Sequence, residues 1–519
     1  MSPSDSSNDG KVYLVGAGPG DPGLITLRGV QCLGRADVVL YDYLANPSIL
    51  AHTPPSAELV RIGHAKGRWA MAEQEIHARM IDAARQGKTV VRLKGGDPAI
   101  FARVAEETAA LTAAGIPFEI VPGVTAALAA AVYAGIPITH GQRASAVAFV
   151  TGQERSEKNE SPLDYEALAR FPGTLVFYMG VTTVRQWSAA LIDYGKRPET
   201  PVAIILRATR CDQEVHRTTL GEVAQLVQRR RLYPPAIIVV GEVVDLAPAV
   251  SWFAARPLFG RRILVTRPRE QADRLIDSLT DLGAEVLVQP AIALGDPPDW
   301  SPVDAALARV DQFDWLVFSS ANGVRALLDR LCSGSGDLRR LGTVRIAAIG
   351  PGTAAALERY HLHPDILPEQ FRAESLAAAL CREAPGQRFL LARASRGREV
   401  LSEQLRQSGG QVEQIVVYSS ADVLRADPEV TQRLATGQVD WVTVTSSSIA
   451  QATAAMFGET LRKSRLASIS PVTSEVLLQL GYPPAAEAST YTMEGLVDAI
   501  LAAEAIIVRE ASTSSEGQE

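Results

Sequence analysis

Cysteine is scarce in this 519-residue chain, with only Cys32, Cys211, Cys332 and Cys381. No two form a C-x-x-C pair and no histidine clusters with them, which argues against a disulfide framework or a zinc site. Lysine is scarce too: of 51 basic residues only seven are lysine, so each lysine carries weight as a candidate functional group. Long apolar runs are missing. The longest, AALAAAVYAGIPI at 126–138, is interrupted by Gly135 and Pro137 and falls short of the roughly 20 residues a membrane helix needs; it reads as a buried helix and a turn. The opening MSPSDSSNDG has no apolar signal core, so a cytoplasmic protein without a membrane partner is expected. An excess of positive charge is absent as well. At a net charge of −7, no nucleic-acid partner is expected. What is present is an ordinary folded composition, 47 % hydrophobic and 21 % charged, over a length that suggests about three to four domains.

Short apolar runs alternate with helical stretches. KVYLVG (11–16) reads as a buried strand, followed by the loop AGPGDPG and the helix LITLRGVQCLGRA. The strand DVVLYD ends at Asp42, and KTVVRL (88–93) leads through KGGDPA into a helix over 101–114 and the strand FEIV (118–121). This alternation predicts a parallel α/β sheet. A second α/β unit starts at AVAFVTG (146–152) and continues through TLVFYMG (174–180), PVAIIL (201–206) and AIIVVGEVV (236–244). After SWFAARPLFGRR (251–262) the pattern restarts with RILVTRP (262–268) and is then duplicated. DWLVFSSANGV (314–324) parallels DWVTVTSSSIA (440–450), and the segment from RIAAIGPGT at 345 parallels RLASISPVT at 465, with Thr353 matching Thr473 and Leu376 matching Leu496. Two copies of a strand–loop–helix unit predict two similar α/β lobes.

GAGPGDPG after a strand invites a dinucleotide fingerprint, which needs glycine at its first, third and sixth positions. Gly16 and Gly18 fit, but the sixth position is Asp21. Its carboxylate would repel a pyrophosphate, so nicotinamide binding is not expected. Five ordered strings give a better match: VGAGPGDPGLITLRG, VVLYDYL, VVRLKGGDPAIFARVAEE, VPGVTAALAAAVYAGIPITH and LVFYMG. Together they resemble the uroporphyrinogen-III C-methyltransferases, within the tetrapyrrole methylase family.

The resemblance implies two α/β domains, a homodimer through this half, and two methyl transfers from S-adenosyl-L-methionine to uroporphyrinogen III, giving precorrin-2. The donor carries no phosphate; its polar parts need backbone hydrogen bonds and close approach, which glycine-rich strand ends allow. By resemblance Pro19, Gly95, Gly96, Asp97, Ile100, Thr125, Ala126 and Met179 line the cofactor, and Ala208 stands at a contact where relatives usually carry glycine. Asp42 matches the family's acid for moving pyrrolic protons, a role suited to a positioned carboxylate. The family's proton-donating lysine is replaced: the motif reads Gly63-His64-Ala65-Lys66, so His64 by position or Lys66 by reach takes the role. A polycarboxylate substrate calls for local positive charge, for which Arg61, Lys66, Arg68, Arg92 and Lys94 are candidates.

Beyond residue 260 no nucleophile triad, metal motif or phosphate loop occurs. Hydroxyl-rich strand ends recur instead: Ser319-Ser320-Ala321-Asn322-Gly323, Gly350-Pro351-Gly352-Thr353, Thr445-Ser446-Ser447-Ser448 and Ser470-Pro471-Val472-Thr473. Such residues at helix starts can cap the helix or hold an anion. The strings ILVTRP, LVFSSANGV, AIGPGTAAAL, IVVYSS, TVTSSS and ASTYTMEGLVDAI resemble uroporphyrinogen-III synthase. That resemblance implies a bilobal parallel α/β fold, with one lobe discontinuous, and cyclisation of hydroxymethylbilane with inversion of its last ring. Tyr418 aligns with the tyrosine proposed to assist loss of hydroxide. Arg267, Ser319, Ser320, Asn322, Thr353, Thr445, Ser446 and Ser447 are the candidate substrate contacts.

The expectation is therefore a bifunctional tetrapyrrole enzyme with no metal. The methyltransferase occupies 11–250 (lobes 11–140 and 141–250), a linker 251–261, the synthase 262–505, and disordered tails 1–10 and 506–519. Two alternatives stay open: a methylase acting on another tetrapyrrole, and a C-terminal half that binds tetrapyrrole without catalysis.

Overall fold

The computed structural model describes residues 10–516 apart from 66–67, 70, 154–162, 249–250, 334–335, 384–385 and 398. Contacts divide the chain into two compact units, one of residues 1–263 with 277–287 and 504–519, the other of 264–276 with 288–503.

The first unit begins with a five-stranded sheet in the order Glu58–Ile62, Val38–Asp42, Val90–Lys94, Val12–Gly16, Phe118–Val121, parallel throughout. Alternate side chains of its inner strands enter different cores. Val12, Leu14, Val38, Leu40 and Val90 pack with Met80 and Leu111, while Val15, Val39, Val91 and Leu93 pack with Cys32 and Leu33. Burial on both faces is why these strands read as continuous apolar runs. Because every strand runs the same way, Gly16, Asp42, Ile62, Lys94 and Val121 all finish at one edge, where open α/β sheets bind their ligands.

The second sheet has the order Glu214–Thr219, Pro201–Leu206, Ala236–Val240, Thr174–Tyr178, Val147–Thr151. Only its last pair is parallel; the others are antiparallel. The strand foreseen over 236–244 stops at Val240, because Gly241 turns at φ +146 and Glu242–Leu246 continues as a 3₁₀ helix. Glu214–Thr219 was not foreseen: EVHRTT is an edge strand with no fully buried residue and so carries no apolar run.

Residues 251–261, foreseen as a linker, are packed. Phe253 and Leu258 are buried, and the Phe253 ring lies 4.7 Å from Tyr133 and 5.3 Å from Phe259. Beside them Arg262 Nε and Cys211 Sγ both donate to Glu285 Oε2, at 2.8 and 3.2 Å. Burial, then the Glu285 carboxylate, pushes the Cys211 thiol up to about 12, so it donates as a neutral thiol. The tail foreseen as disordered over 506–519 is helical through Glu516, within Met493–Glu516.

The second unit holds a sheet ordered Ile292–Gly295, Gln411–Asp422, Arg388–Ala394, Trp315–Phe318, Arg345–Ala348, parallel except at the Ile292–Gly295 edge. It also holds Trp441–Val444, Arg465–Ser468 and Ala486–Glu487 side by side and parallel. The duplication read from the sequence has physical counterparts. Trp315 lies in register with Arg345, and Trp441 with Arg465. Each tryptophan is fully buried under its arginine, at 4.1 and 5.8 Å from guanidinium to ring. Ser320 and Ser446 cap equivalent helices, Ala321–Cys332 and Ser447–Phe457, by accepting from Gly323 and Ile449 N–H. Thr353 and Thr473 are both buried on the next helix of each copy.

Candidate active sites

At the carboxyl edge of the first sheet, the loops after the strands are stitched to one another. Gly18 N–H donates to Gly96 O (3.2 Å) and Gly96 N–H returns to Gly18 O (2.7 Å). Asp97 accepts from Ala99 N–H at 2.7 Å and Gly123 N–H at 2.9 Å, joining the loops that follow Val90–Lys94 and Phe118–Val121. Gly16 and Gly123 permit this: a Cβ on Gly123 would stand 2.4 Å from Gly96 O, and one on Gly16 2.6 Å from Gly123 Cα. Ile100 N–H closes the turn onto Asp97 O at 3.2 Å.

Two further links connect these loops to the second sheet. The buried Thr125 hydroxyl lies 2.5 Å from Tyr178 OH, which also accepts from Ala127 N–H at 3.0 Å. Asp21 N–H donates to Thr209 Oγ1 at 2.9 Å, and Tyr133 OH donates to Asp21 Oδ2 at 2.6 Å. Asp21 thus serves as a structural acceptor, in keeping with its unfitness for a pyrophosphate. The Gly18–Gly20 turn, which includes Pro19, sits against the Ala208–Thr209 turn, since a Cβ on Gly20 would meet Thr209 Oγ1 at 3.0 Å and Ala208 O at 3.4 Å. The cofactor candidates from both sheets are therefore gathered at one edge. Tyr178, Tyr133 and Thr209 were missed, although Tyr178 stood beside Met179 in LVFYMG, Thr209 beside Ala208, and Tyr133 within VPGVTAALAAAVYAGIPITH.

These residues suit a small, partly apolar cofactor. Gly96 sits at φ +70, and a Cβ there would project into room bounded only by Ala126 N at 3.7 Å, leaving peptide groups open to approach. Phe101 and Met179 flank the same edge about half exposed, with the Phe101 ring 5.1 Å from Tyr178. Phe101, Met179, Arg207 and Thr209 all hold φ between +46 and +66, a conformation that costs non-glycine residues about 1–3 kcal/mol each and gathers at ligand sites.

Asp42 ends its strand with its carboxylate 2.6 Å from Arg92 Nη2. Arg92 Nε reaches Glu107 Oε1 at 3.1 Å, and Lys94 Nζ reaches Glu107 Oε2 at 2.6 Å. Arg92, Lys94 and Glu107 are all buried. Burial, then the charge of Arg92, holds the Lys94 ammonium below the usual lysine range against the opposing pull of Glu107. This corrects an expectation: Arg92 and Lys94 are internal partners of Glu107, unavailable to a substrate carboxylate. Arg61 is exposed. His64 lies on the short strand His64–Ala65, paired with Arg68–Trp69; its side chain and Lys66 lie outside the described residues.

In the second unit Tyr418 OH is 3.1 Å from Ser320 Oγ, and Tyr418 lines a pocket of about 250 Å³ with Val417, Gly295, Asp296 and Trp300. Ser319 is exposed beside it in sequence, and Thr445, Ser446 and Ser447 are half-buried. Ser446 is committed to its cap and to Ser448 at 3.1 Å. Thr353 faces inward, 4 % exposed, which leaves little of it for a substrate. Arg267 and Asn322 are joined through Gln271: Arg267 Nε donates to Gln271 Oε1 (3.2 Å) and Gln271 Nε2 to Asn322 Oδ1 (2.8 Å). Among the described residues no cluster of His, Cys, Asp and Glu could hold a metal, and no helix is long and apolar enough to cross a membrane.

Residues 11–224 match the family model described as Tetrapyrrole (Corrin/Porphyrin) Methylases, and residues 273–498 match that of Uroporphyrinogen-III synthase HemD. A Ruminiclostridium josui protein named porphyrin biosynthesis protein HemD is 35 % identical over 440 residues, covering 85 % of this chain and 87 % of that protein. The Bacillus subtilis (strain 168) uroporphyrinogen-III C-methyltransferase is 41 % identical over 68 % of this chain and 72 % of its own length. A Methanosarcina barkeri S-adenosyl-L-methionine-dependent uroporphyrinogen III methyltransferase is 48 % identical over 46 % of this chain and 94 % of its own.

Proposed function

The chain belongs to the tetrapyrrole methylases through its first half and to the uroporphyrinogen-III synthases through its second, and from that premise we propose that it carries out two consecutive steps. The second half cyclises hydroxymethylbilane to uroporphyrinogen III. The first half methylates that product twice with S-adenosyl-L-methionine to give precorrin-2, on the sirohaem or cobalamin branch. The observation that carries the first activity is the convergence of Asp42 with the stitched loops at the same sheet edge.

Pro19, Gly95, Gly96, Asp97, Ile100, Thr125, Ala126, Met179 and Ala208 would hold the donor, which when bound supplies an electrophilic methyl group. The main-chain N–H of Ala126 offers a hydrogen bond, Gly96 leaves room for close approach, and Phe101 and Met179 offer apolar cover. Asp42 takes the proton released as a pyrrole carbon is alkylated, with Arg92 fixing its orientation. His64 or Lys66 donates a proton in place of the family's lysine. Holding both reactants aligned removes much of the entropic barrier. A homodimer through the first unit belongs to the reading, supported by Leu128 and Val132, which stand 43 % and 56 % exposed on the helix Ala126–Tyr133; so does a cytoplasmic location.

In the second half Tyr418, held by Ser320, assists departure of hydroxide, and the hydroxyl-rich helix starts receive the substrate's carboxylates. Tyr418→Phe deletes one hydrogen-bonding hydroxyl, so the cyclisation rate should fall about tenfold with the fold intact; an unchanged rate would remove Tyr418 from the mechanism. The test of the whole reading is isomer-resolving chromatography coupled to mass spectrometry after incubating the chain with hydroxymethylbilane and S-adenosyl-L-methionine. Uroporphyrinogen III and then a dimethylated product are expected. Only the spontaneous isomer I product would reject the synthase in favour of a binding module, and absence of a dimethylated product would reject the methyltransferase.

A further inference from the structure

Arg267, Gln271, Asn322 and Arg325 form one polar chain in the second unit. Arg267 lies two residues beyond the strand Arg262–Val265, Gln271 lies in the 3₁₀ turn Arg269–Gln271, and Asn322 and Arg325 occupy the first turns of Ala321–Cys332. Gln271 Oε1 accepts from Arg267 Nε at 3.2 Å and from Arg267 Nη2 at 3.1 Å. Asn322 Oδ1 accepts from Gln271 Nε2 at 2.8 Å and Arg325 Nη2 at 2.7 Å. Both amide oxygens are thereby filled by donors of the cluster itself. Among the described residues the one remaining acceptor is Met493 Sδ, 3.0 Å from Arg267 Nη1, and a thioether is a weak acceptor.

Each guanidinium carries five N–H donors and no acceptor. Three of those on Arg267 and one on Arg325 are used; the rest, with the Asn322 amide N–H groups, have no acceptor among the described residues. Neither arginine pairs with a carboxylate there. Asp329, one helical turn beyond Arg325, is bonded to Tyr360 OH at 2.6 Å. Two half-buried cations bridged only by neutral amides are costly to keep without an anion. Burial and then the charge of Arg325 already push the Arg267 guanidinium below its usual range. The cluster also shares its helix start with Ser320, the partner of Tyr418.

We propose that Arg267 and Arg325 form a clamp for one carboxylate arm of the linear tetrapyrrole, fixing the substrate beside Tyr418. This rests on the synthase reading above. Arg325 is the new member; on the sequence it is one helical arginine among many, and only the Asn322 amide oxygen it shares with Gln271 distinguishes it. A planar carboxylate matches the fork of a guanidinium and forms charge-assisted bonds with it.

The test uses the full-length chain with hydroxymethylbilane as substrate and uroporphyrin as a competing polycarboxylate. For Arg325→Gln, the KM for hydroxymethylbilane and the inhibition constant of uroporphyrin should each rise about tenfold, with kcat within about twofold. Arg325→Lys keeps the charge but loses the fork, and should fall between the two. The salt dependence of KM should also flatten in Arg325→Gln, because a charge contact has been removed. Arg267→Gln should follow the same pattern; should it fail to fold, Arg325→Gln decides alone. A KM and inhibition constant unchanged in Arg325→Gln, or a fall in kcat alone, overturns the clamp. Absence of cyclisation by the wild type overturns the synthase reading itself, a separate outcome.

Discussion

Asp42→Asn is expected to lower the rate of methylation by about 10²- to 10⁴-fold, the range a positioned general base supplies. The exchange is nearly isosteric. The amide oxygen can still accept from Arg92 Nη2, which lies 2.6 Å from the native carboxylate, so the strand end and its loops should keep their shape. What disappears is the basic oxygen. Binding of S-adenosylhomocysteine, measured by calorimetry, should therefore stay within about threefold of the wild type, since no cofactor candidate is altered. A loss of less than tenfold would place the base elsewhere, with His64 the next residue to change.

Asp42 and the glycine loops were legible in the sequence for a definable reason. A parallel sheet delivers every strand end to the same edge, so naming the strands also names that edge. The duplication in the second half was legible because Trp315 and Trp441 recur with the same partners, Arg345 and Arg465, in register. Contacts that depend on how a helix is rotated were not legible. Arg92 and Lys94 looked like free cations because Glu107, fifteen and thirteen residues away, becomes their partner only once the chain is folded. Gln271 and Arg325 escaped notice likewise, since their meeting joins segments 51 residues apart through Asn322. The packing within 251–261 was not legible either: only Phe253 and Leu258 of its large apolar side chains are buried, while Trp252 stands 46 % exposed.

Glu107→Ala should destabilise the first unit by about 3–5 kcal/mol, the usual cost of removing one partner from a buried ion pair. Glu107, Arg92 and Lys94 are 5 %, 5 % and 2 % exposed, and one carboxylate serves both cations. Without it, Arg92 keeps Asp42 and the Leu93 carbonyl, and among the described residues Lys94 keeps no anion at hydrogen-bonding distance. At roughly 2–4 °C per kcal/mol for a unit of this size, the corresponding calorimetric transition should fall by about 6–20 °C. The double variant Glu107→Ala, Lys94→Met should recover part of that loss, because one of the two orphaned charges is gone and the residues are in contact. The dependence on pH has a definite sign. Burial and Arg92 already lower the Lys94 pKa, and losing Glu107 removes a group that raises it. A lysine whose folded pKa is depressed penalises the fold wherever the unfolded chain keeps that lysine charged, and the penalty shrinks as pH rises through the folded value toward the unfolded one. The deficit of Glu107→Ala should therefore narrow on the alkaline side, and the double variant should show no such narrowing. A deficit under about 1 kcal/mol, as for an exposed pair, would mean that water reaches these cations and that Arg92 does not hold Asp42 from a fixed, buried position.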